Sequence, residues 1–390
     1  MINTWEFWAT LAAAVIVYWG LPAKMRLSFL ALASGAYISY LDVSSAVILL
    51  LGSLFIKWMF DRNLLLNKKP SLLKWVVVLL IFGLAGFKAL PNLLDDVFQN
   101  SILAGVAVPL GISYYIFKLI HYAVERNRGN LGEVGNAEFL CWLFLFPMFT
   151  AGPIEPLDHF KKSRSENFDH AAILEGIGRI IQGMVKKFVL VGILLQQILM
   201  DDQTVMSVHQ NLSAMTVYEL WIFFVLIFFT FYLEFSAYSD IAIGGCRLFG
   251  IRIIENFNWP IVAKNMSEFW KRWHMSLSGW CQRYIYMPVI ARTRNPYYAI
   301  FFTFLTIGMW HAVDLNYLAW GLFHGAGVAT AVTFGRIKRK LGWMRREKGI
   351  FVYWGMPLTL AYVSFGGVFS STQGQGIGVA LDFAKKLLGL

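Results

Sequence analysis

The chain reads YSDIAIGGCRLFGIRIIENFNWPI over 238–261, SEFWKRWHMSLSGWCQRYIYMP over 267–288 and IGMWHAVDLNYLAWGLFHG over 307–325. Three histidines, His274, His311 and His324, stand in these stretches among long apolar and aromatic runs. An ionisable side chain held at membrane depth is costly, so it persists where it pairs, ligates or reacts. His311 is the foremost candidate.

Composition sets the solvent. Of 390 residues, 57% are hydrophobic and only 15% charged, which excludes an ordinary soluble domain and points to a polytopic membrane protein. Apolar runs recur over 7–23, 43–56, 97–117, 139–154, 295–313, 315–335 and 350–381. A span takes about 20 apolar residues, fewer when flanking Lys, Arg or Trp snorkel. The expectation is a single all-α integral membrane domain over 1–390, with roughly eight to eleven embedded helices. Glu6 and the lack of a basic leading segment make 7–23 an expected retained anchor. Cys141, Cys246 and Cys281 are far apart and form no CxxC, so they read as small packing residues. No metal-ligand spacing, phosphate loop or Ser-His-Asp order stands out, and no internal repeat is visible.

The formal charge of +11 is clustered. One block covers Arg336, Lys338, Arg339, Lys340, Arg345, Arg346 and Lys348; another covers Lys57, Arg62, Lys68, Lys69 and Lys74. Flanking apolar spans, these blocks mark cytoplasmic loops and anionic membrane lipid, not nucleic acid. They also suit an acidic protein partner. With 336–348 inside, span 315–335 runs inward and span 295–313 outward, which carries His311 toward the outer side. Asp314 and Asn316 then occupy a tight turn and can cap the next helix. His274, beside Lys271, Arg272 and Arg283, is expected nearer the inner side. From Ser267 onward, Trp270, Trp273, His274, Leu277, Cys281 and Tyr284 recur at helical spacing, predicting one helix with His274 on its apolar stripe. His324 reads as a packing residue. FPMFTAGPIEP over 146–156 and YSDIAIGG over 238–245 carry Pro, Gly and polar groups. Both are expected to be re-entrant or broken pieces lining a trans-bilayer channel.

Taken in order, YSDIAIGG…FNWPI, FWKRWHMSLSGWCQRYIYMP, GMWHA and WGLFHG, with LGISYYIFKLIHY and FPMFTAGPIEP upstream, resemble the membrane-bound O-acyltransferase family. The resemblance, over about 108–327, is to its bacterial cell-envelope branch. It implies transfer of an acyl group from a cytoplasmic thioester to a hydroxyl of an extracytoplasmic glycan or teichoic-type polymer, in a multi-pass protein of the bacterial cytoplasmic membrane. The donor would be carrier-protein phosphopantetheine or acyl-CoA, with no bound cofactor, and the partner an acidic acyl-carrier protein. The family's Trp-His-Gly histidine corresponds to His311, followed here by Ala312, and implies the general base. The histidine of Trp-His-Met-Ser-Leu-Ser corresponds to His274. A neutral imidazole suits deprotonation of a hydroxyl at neutral pH. Trp273, Trp310, Ser278 and Asn258 are candidate oxyanion donors, and Asp240 and His324 candidate channel residues. The compact chain and VSFGGVFSS over 363–371 resemble D-alanyl-transfer members more than acetyl-transfer ones, which usually continue with a Phe-Phe-Arg element. Polysaccharide or peptidoglycan O-acetylation is the alternative. A transporter whose histidines merely line a path is another, and it would show inverted repeats.

Overall fold

In a computed structural model the described residues are 2–62, 73–83, 86, 110–195, 215–342 and 354–390. Lys68, Lys69, Arg345, Arg346, Lys348 and the run 97–109 lie outside them. Among the described residues the regular structure is helical, with one isolated antiparallel bridge between Arg164 and Ile251. The helices are α1 (Trp5–Gly20), α2 (Ala23–Leu41), α3 (Val43–Asp61), α4 (Leu73–Gly83), α5 (Ile112–Asn127), α6 (Asn136–Phe144), α7 (Leu157–Lys162) and α8 (His170–Met184). There follow α9 (Val217–Arg247), α10 (Met266–Trp270), α11 (Met275–Cys281), α12 (Met287–Thr293), α13 (Pro296–His311), α14 (Leu315–Lys340), α15 (Gly355–Ser371) and α16 (Ile377–Leu387). By length and composition, α3, α9 and α14 are long and apolar enough to cross a membrane. Large apolar side chains face outward, among them Trp5, Leu79, Phe82 and Leu358, as lipid contact demands and water would penalise. All three cysteines are free and buried.

The chain divides into two compact units, one of residues 1–183 with 238–254, the other of 184–237 with 255–390. In the first, α6 stops at Phe144 and a 3₁₀ turn follows at Phe146–Met148, so FPMFTAGPIEP is broken as its Pro and Gly require. The freed backbone groups find partners inside the protein. Buried Lys118 donates from Nζ to the Trp142 carbonyl at 3.0 Å, a cation at a helix C-terminus. Ser34 Oγ accepts from the Phe146 N–H, and the Trp142 indole donates to the Glu155 carbonyl. YSDIAIGG differs from expectation: it stays helical as the end of α9. Its glycines serve a close helix crossing, since a Cβ on Gly244 would lie 2.6 Å from the Gly176 carbonyl oxygen of α8.

In the second unit α13 and α14 form a tight antiparallel hairpin. A Cβ on Gly308 would stand 2.3 Å from the Tyr317 carbonyl oxygen, and one on Gly321 would stand 2.5 Å from that of Phe304. Asp314 caps α14 by accepting from the Tyr317 N–H at 2.7 Å. Asn316 does not cap; it is buried and donates to the Thr372 carbonyl at 2.7 Å, tying α14 to the end of α15. The amphipathic α16 buries Ala380, Phe383 and Leu387 with Leu220, Phe224 and Val368, and turns Asp382 and Lys385 outward.

Two outcomes follow from this packing. Gly308→Ala should force the hairpin apart and cost about 1–3 kcal/mol, read as a lower melting temperature in detergent. The second concerns Glu155, 1% exposed, which accepts from His159 Nδ1 at 2.5 Å. That bond raises the His159 pKa above its usual 6.5. A raised folded-state value gives stability that is full below about pH 6.5 and lost as pH climbs through the raised value. Thermal melts from about pH 6 to about pH 9 should therefore fall more steeply for the wild type than for His159→Gln.

Candidate active site

His311 is the last residue of α13, where the helix meets the turn into α14. Ala312 is extended at φ −155°, ψ 152°, a conformation any residue adopts, so the backbone here does not require the glycine of Trp-His-Gly. His311 is exposed, and its ring stacks on Tyr317 with centroids 5.0 Å apart and meets Trp310 at 4.5 Å and Trp320 at 5.2 Å. Tyr317, Trp320 and His324 follow one another at i, i+3 and i+7 and share a face of α14.

His274 interrupts a helix where the sequence predicts a continuous one. α10 ends at Trp270, α11 begins at Met275, and His274 caps α11 in the left-handed region at φ 43°. A non-glycine residue there carries local strain, which neighbours must overcome. Asn256, wholly buried, supplies that hold. Its carbonyl accepts from the Met275 N–H at 2.8 Å, and its Oδ1 accepts from Ser276 Oγ at 2.8 Å and the Ser276 N–H at 3.3 Å. The 3.6-residue apolar pattern was outweighed by these long-range bonds. The imidazole is 3% exposed, edge-on to Phe235 at 4.6 Å and 6.2 Å from Trp310.

His274 and His311 thus both neighbour one indole, that of Trp310. The sequence placed them toward opposite sides of the bilayer; one indole is far thinner than a hydrocarbon core of about 30 Å. His324, expected to be a packing residue, joins them: it is 2% exposed and its ring lies 4.3 Å from Trp320.

The other candidates separate. Trp273 packs in an aromatic cage with Phe228, Tyr232, Phe257 and Phe269. Ser278 is spent on the Trp273 carbonyl at 3.2 Å. Asn258 is exposed and its backbone pairs with Arg272. Asp240 belongs to the first unit, where Arg179 binds it at 2.6 Å. Sequence reading missed Asn256, Trp270, Tyr317 and Trp320. The spacing of Tyr317, Trp320 and His324 carried a signal for two of these; nothing local marked Asn256.

The family model of the membrane-bound O-acyltransferases matches residues 26–356, farther on both sides than the motifs alone reach. The chain belongs to that family. Among its relatives, a protein named probable alginate O-acetylase of Pseudomonas putida is 34% identical over 250 residues, 62% of this chain and 48% of its own. A teichoic acid D-alanyltransferase of Streptococcus thermophilus is 30% identical over 262 residues, 62% of this chain and 61% of its own. A peptidoglycan O-acetyltransferase of Helicobacter pylori is 26% identical over 263 residues, 65% and 47%. The chain spans about half the length of the curated relatives it matches.

Removing the hold on His274 tests the geometry without reference to activity. Asn256→Ala strands the Ser276 hydroxyl and the Ser276 N–H, leaves the backbone carbonyl that accepts from Met275, and should cost about 1–3 kcal/mol in thermal unfolding. Ser276→Ala, which removes one donor with its bond, should cost about 1 kcal/mol or less.

Proposed function

We propose that the chain moves a short acyl group from a thioester to a hydroxyl of a bacterial cell-envelope polymer, with His311 as general base. The observation that carries this reading is exposed His311 beside Trp310, with buried His274 near the same indole. An exposed imidazole is reachable by an acceptor hydroxyl. Aromatic walls exclude water from the thioester, which would otherwise hydrolyse. The acceptor oxygen attacks the carbonyl carbon as its proton passes to His311 Nε2 or Nδ1. The tetrahedral intermediate then collapses, the C–S bond breaks, and His311 returns the proton to the departing sulfur. His274, fixed by Asn256, orients the donor.

The donor is proposed to be carrier-protein phosphopantetheine or acyl-CoA. An acidic carrier fits the cationic last turn of α14, with Lys338, Arg339 and Lys340. The setting is a bacterial cytoplasmic membrane crossed several times, with the polymer on the far side. Two acyl groups compete. The likeness of VSFGGVFSS supports D-alanyl; the 34% identity to the alginate O-acetylase, against 30% to the D-alanyltransferase, supports acetyl.

Mass spectrometry of envelope polymers from cells carrying wild type or His311→Ala, at matched membrane levels, tests both points. Acyl ester should fall about 100-fold or more in the variant, and the mass of the lost group names the substrate. Unchanged ester would remove His311 from the reaction.

A further inference from the structure

Behind His311 lies a second polar pair that the proposed base and donor-orienting residue do not use. Trp270 ends α10 and His324 sits mid-way along α14; they are 8% and 2% exposed. Their rings meet edge-on, with centroids 5.5 Å apart and planes at 87°. Trp270 Nε1 and His324 Nδ1 are both buried, and neither has a hydrogen-bond partner among the described residues. Buried N–H groups are nearly always satisfied, so two orphans side by side point to a ligand atom that serves both.

The surroundings fix what that atom is. The other His324 nitrogen, Nε2, lies against α15, 2.7 Å from where a Cβ on Gly366 would stand. Indole Nε1 only donates, and a neutral imidazole protonated at Nδ1 donates there too. Two donors on adjoining rings suit a single oxygen acceptor. Trp320 links this pair to the base, with its ring 5.9 Å from Trp270, 4.3 Å from His324 and 5.2 Å from His311. Phe304 closes Trp270 from one side at 5.0 Å. Apolar walls strengthen a hydrogen bond to a developing charge.

We propose that Trp270 Nε1–H and His324 Nδ1–H form the oxyanion seat of this enzyme, receiving the carbonyl oxygen of the thioester; the assignment rests on the acyl-transfer reading above. As the acceptor oxygen bonds to carbon, the carbonyl π pair moves onto this oxygen, which the two donors hold. When the C–S bond breaks, the pair returns to re-form the carbonyl. Ser278 Oγ is spent on the Trp273 carbonyl and does not supply these donors.

The test uses the full-length protein in proteoliposomes, with S-acetyl and S-D-alanyl phosphopantetheine supplied separately and envelope polymer from the producing cell as acceptor. Trp270→Phe keeps the ring and loses the N–H; kcat should fall about 100-fold with KM little changed. The His324 pair of variants separates seat from packing. Asn places its amide nitrogen where Nδ1 lies and should retain transfer within about tenfold, whereas Gln, which mimics Nε2, should be as poor as Ala. Wild-type kcat in Trp270→Phe, or equal loss in the Asn and Gln variants in step with lowered melting temperature, would overturn the seat alone. No transfer by the wild type from either donor would bring down the acyl-transfer reading as well.

Discussion

The contact of α13 with α14 at backbone distance governs the candidate site. Gly308 and Gly321 have no Cβ, and only their absence lets the carbonyls of Tyr317 and Phe304 occupy those spaces. Where helices cannot gain from expelling water between them, close van der Waals approach at small residues is the main source of cohesion. The hairpin's closeness brings the end of α13 against the first turns of α14. His311 consequently stacks on Tyr317, and Trp320 reaches both His311 and His324. His311, Tyr317, Trp320 and His324 stand on regular helices, which hold side chains more rigidly than loops do.

The second constraint is conformational. His274 occupies a left-handed backbone position at φ 43°, and Asn256 fixes the two residues that follow it. Energy spent on an unfavourable φ is recovered through three hydrogen bonds to a buried amide and its carbonyl. A straight helix through 267–284 would have carried His274 along an unbroken apolar stripe. The break instead turns it between Phe235 and Trp310.

Much of this was legible in the chain. The helical class, the broken FPMFTAGPIEP segment and the Asp314 cap follow from apolar runs, Pro and Gly positions and the short polar turn. What escaped was set by contacts distant in sequence. YSDIAIGG looks like a break because its Gly-Gly pair is the same signal whether glycine bends a helix or admits a neighbour; Gly176 decides for the latter. His324 looked like a packing residue because its aromatic neighbours Trp270 and Tyr362 come from other helices. Asp240 looked like a channel carboxylate until Arg179, 61 positions away, paired with it. Charge patterning spoke to sidedness along the chain, but not to the closeness of both imidazoles to one indole.

The central claim is that the imidazole of His311 takes the proton from the attacking hydroxyl. Chemical rescue tests it most directly: His311→Ala protein in proteoliposomes, supplied with thioester donor and polymer acceptor, assayed with and without free imidazole. Proton abstraction by His311 requires a near-inactive variant whose transfer rate rises with imidazole concentration and with the fraction of imidazole that is unprotonated. Transfer by His311→Ala at the wild-type rate without imidazole would contradict it.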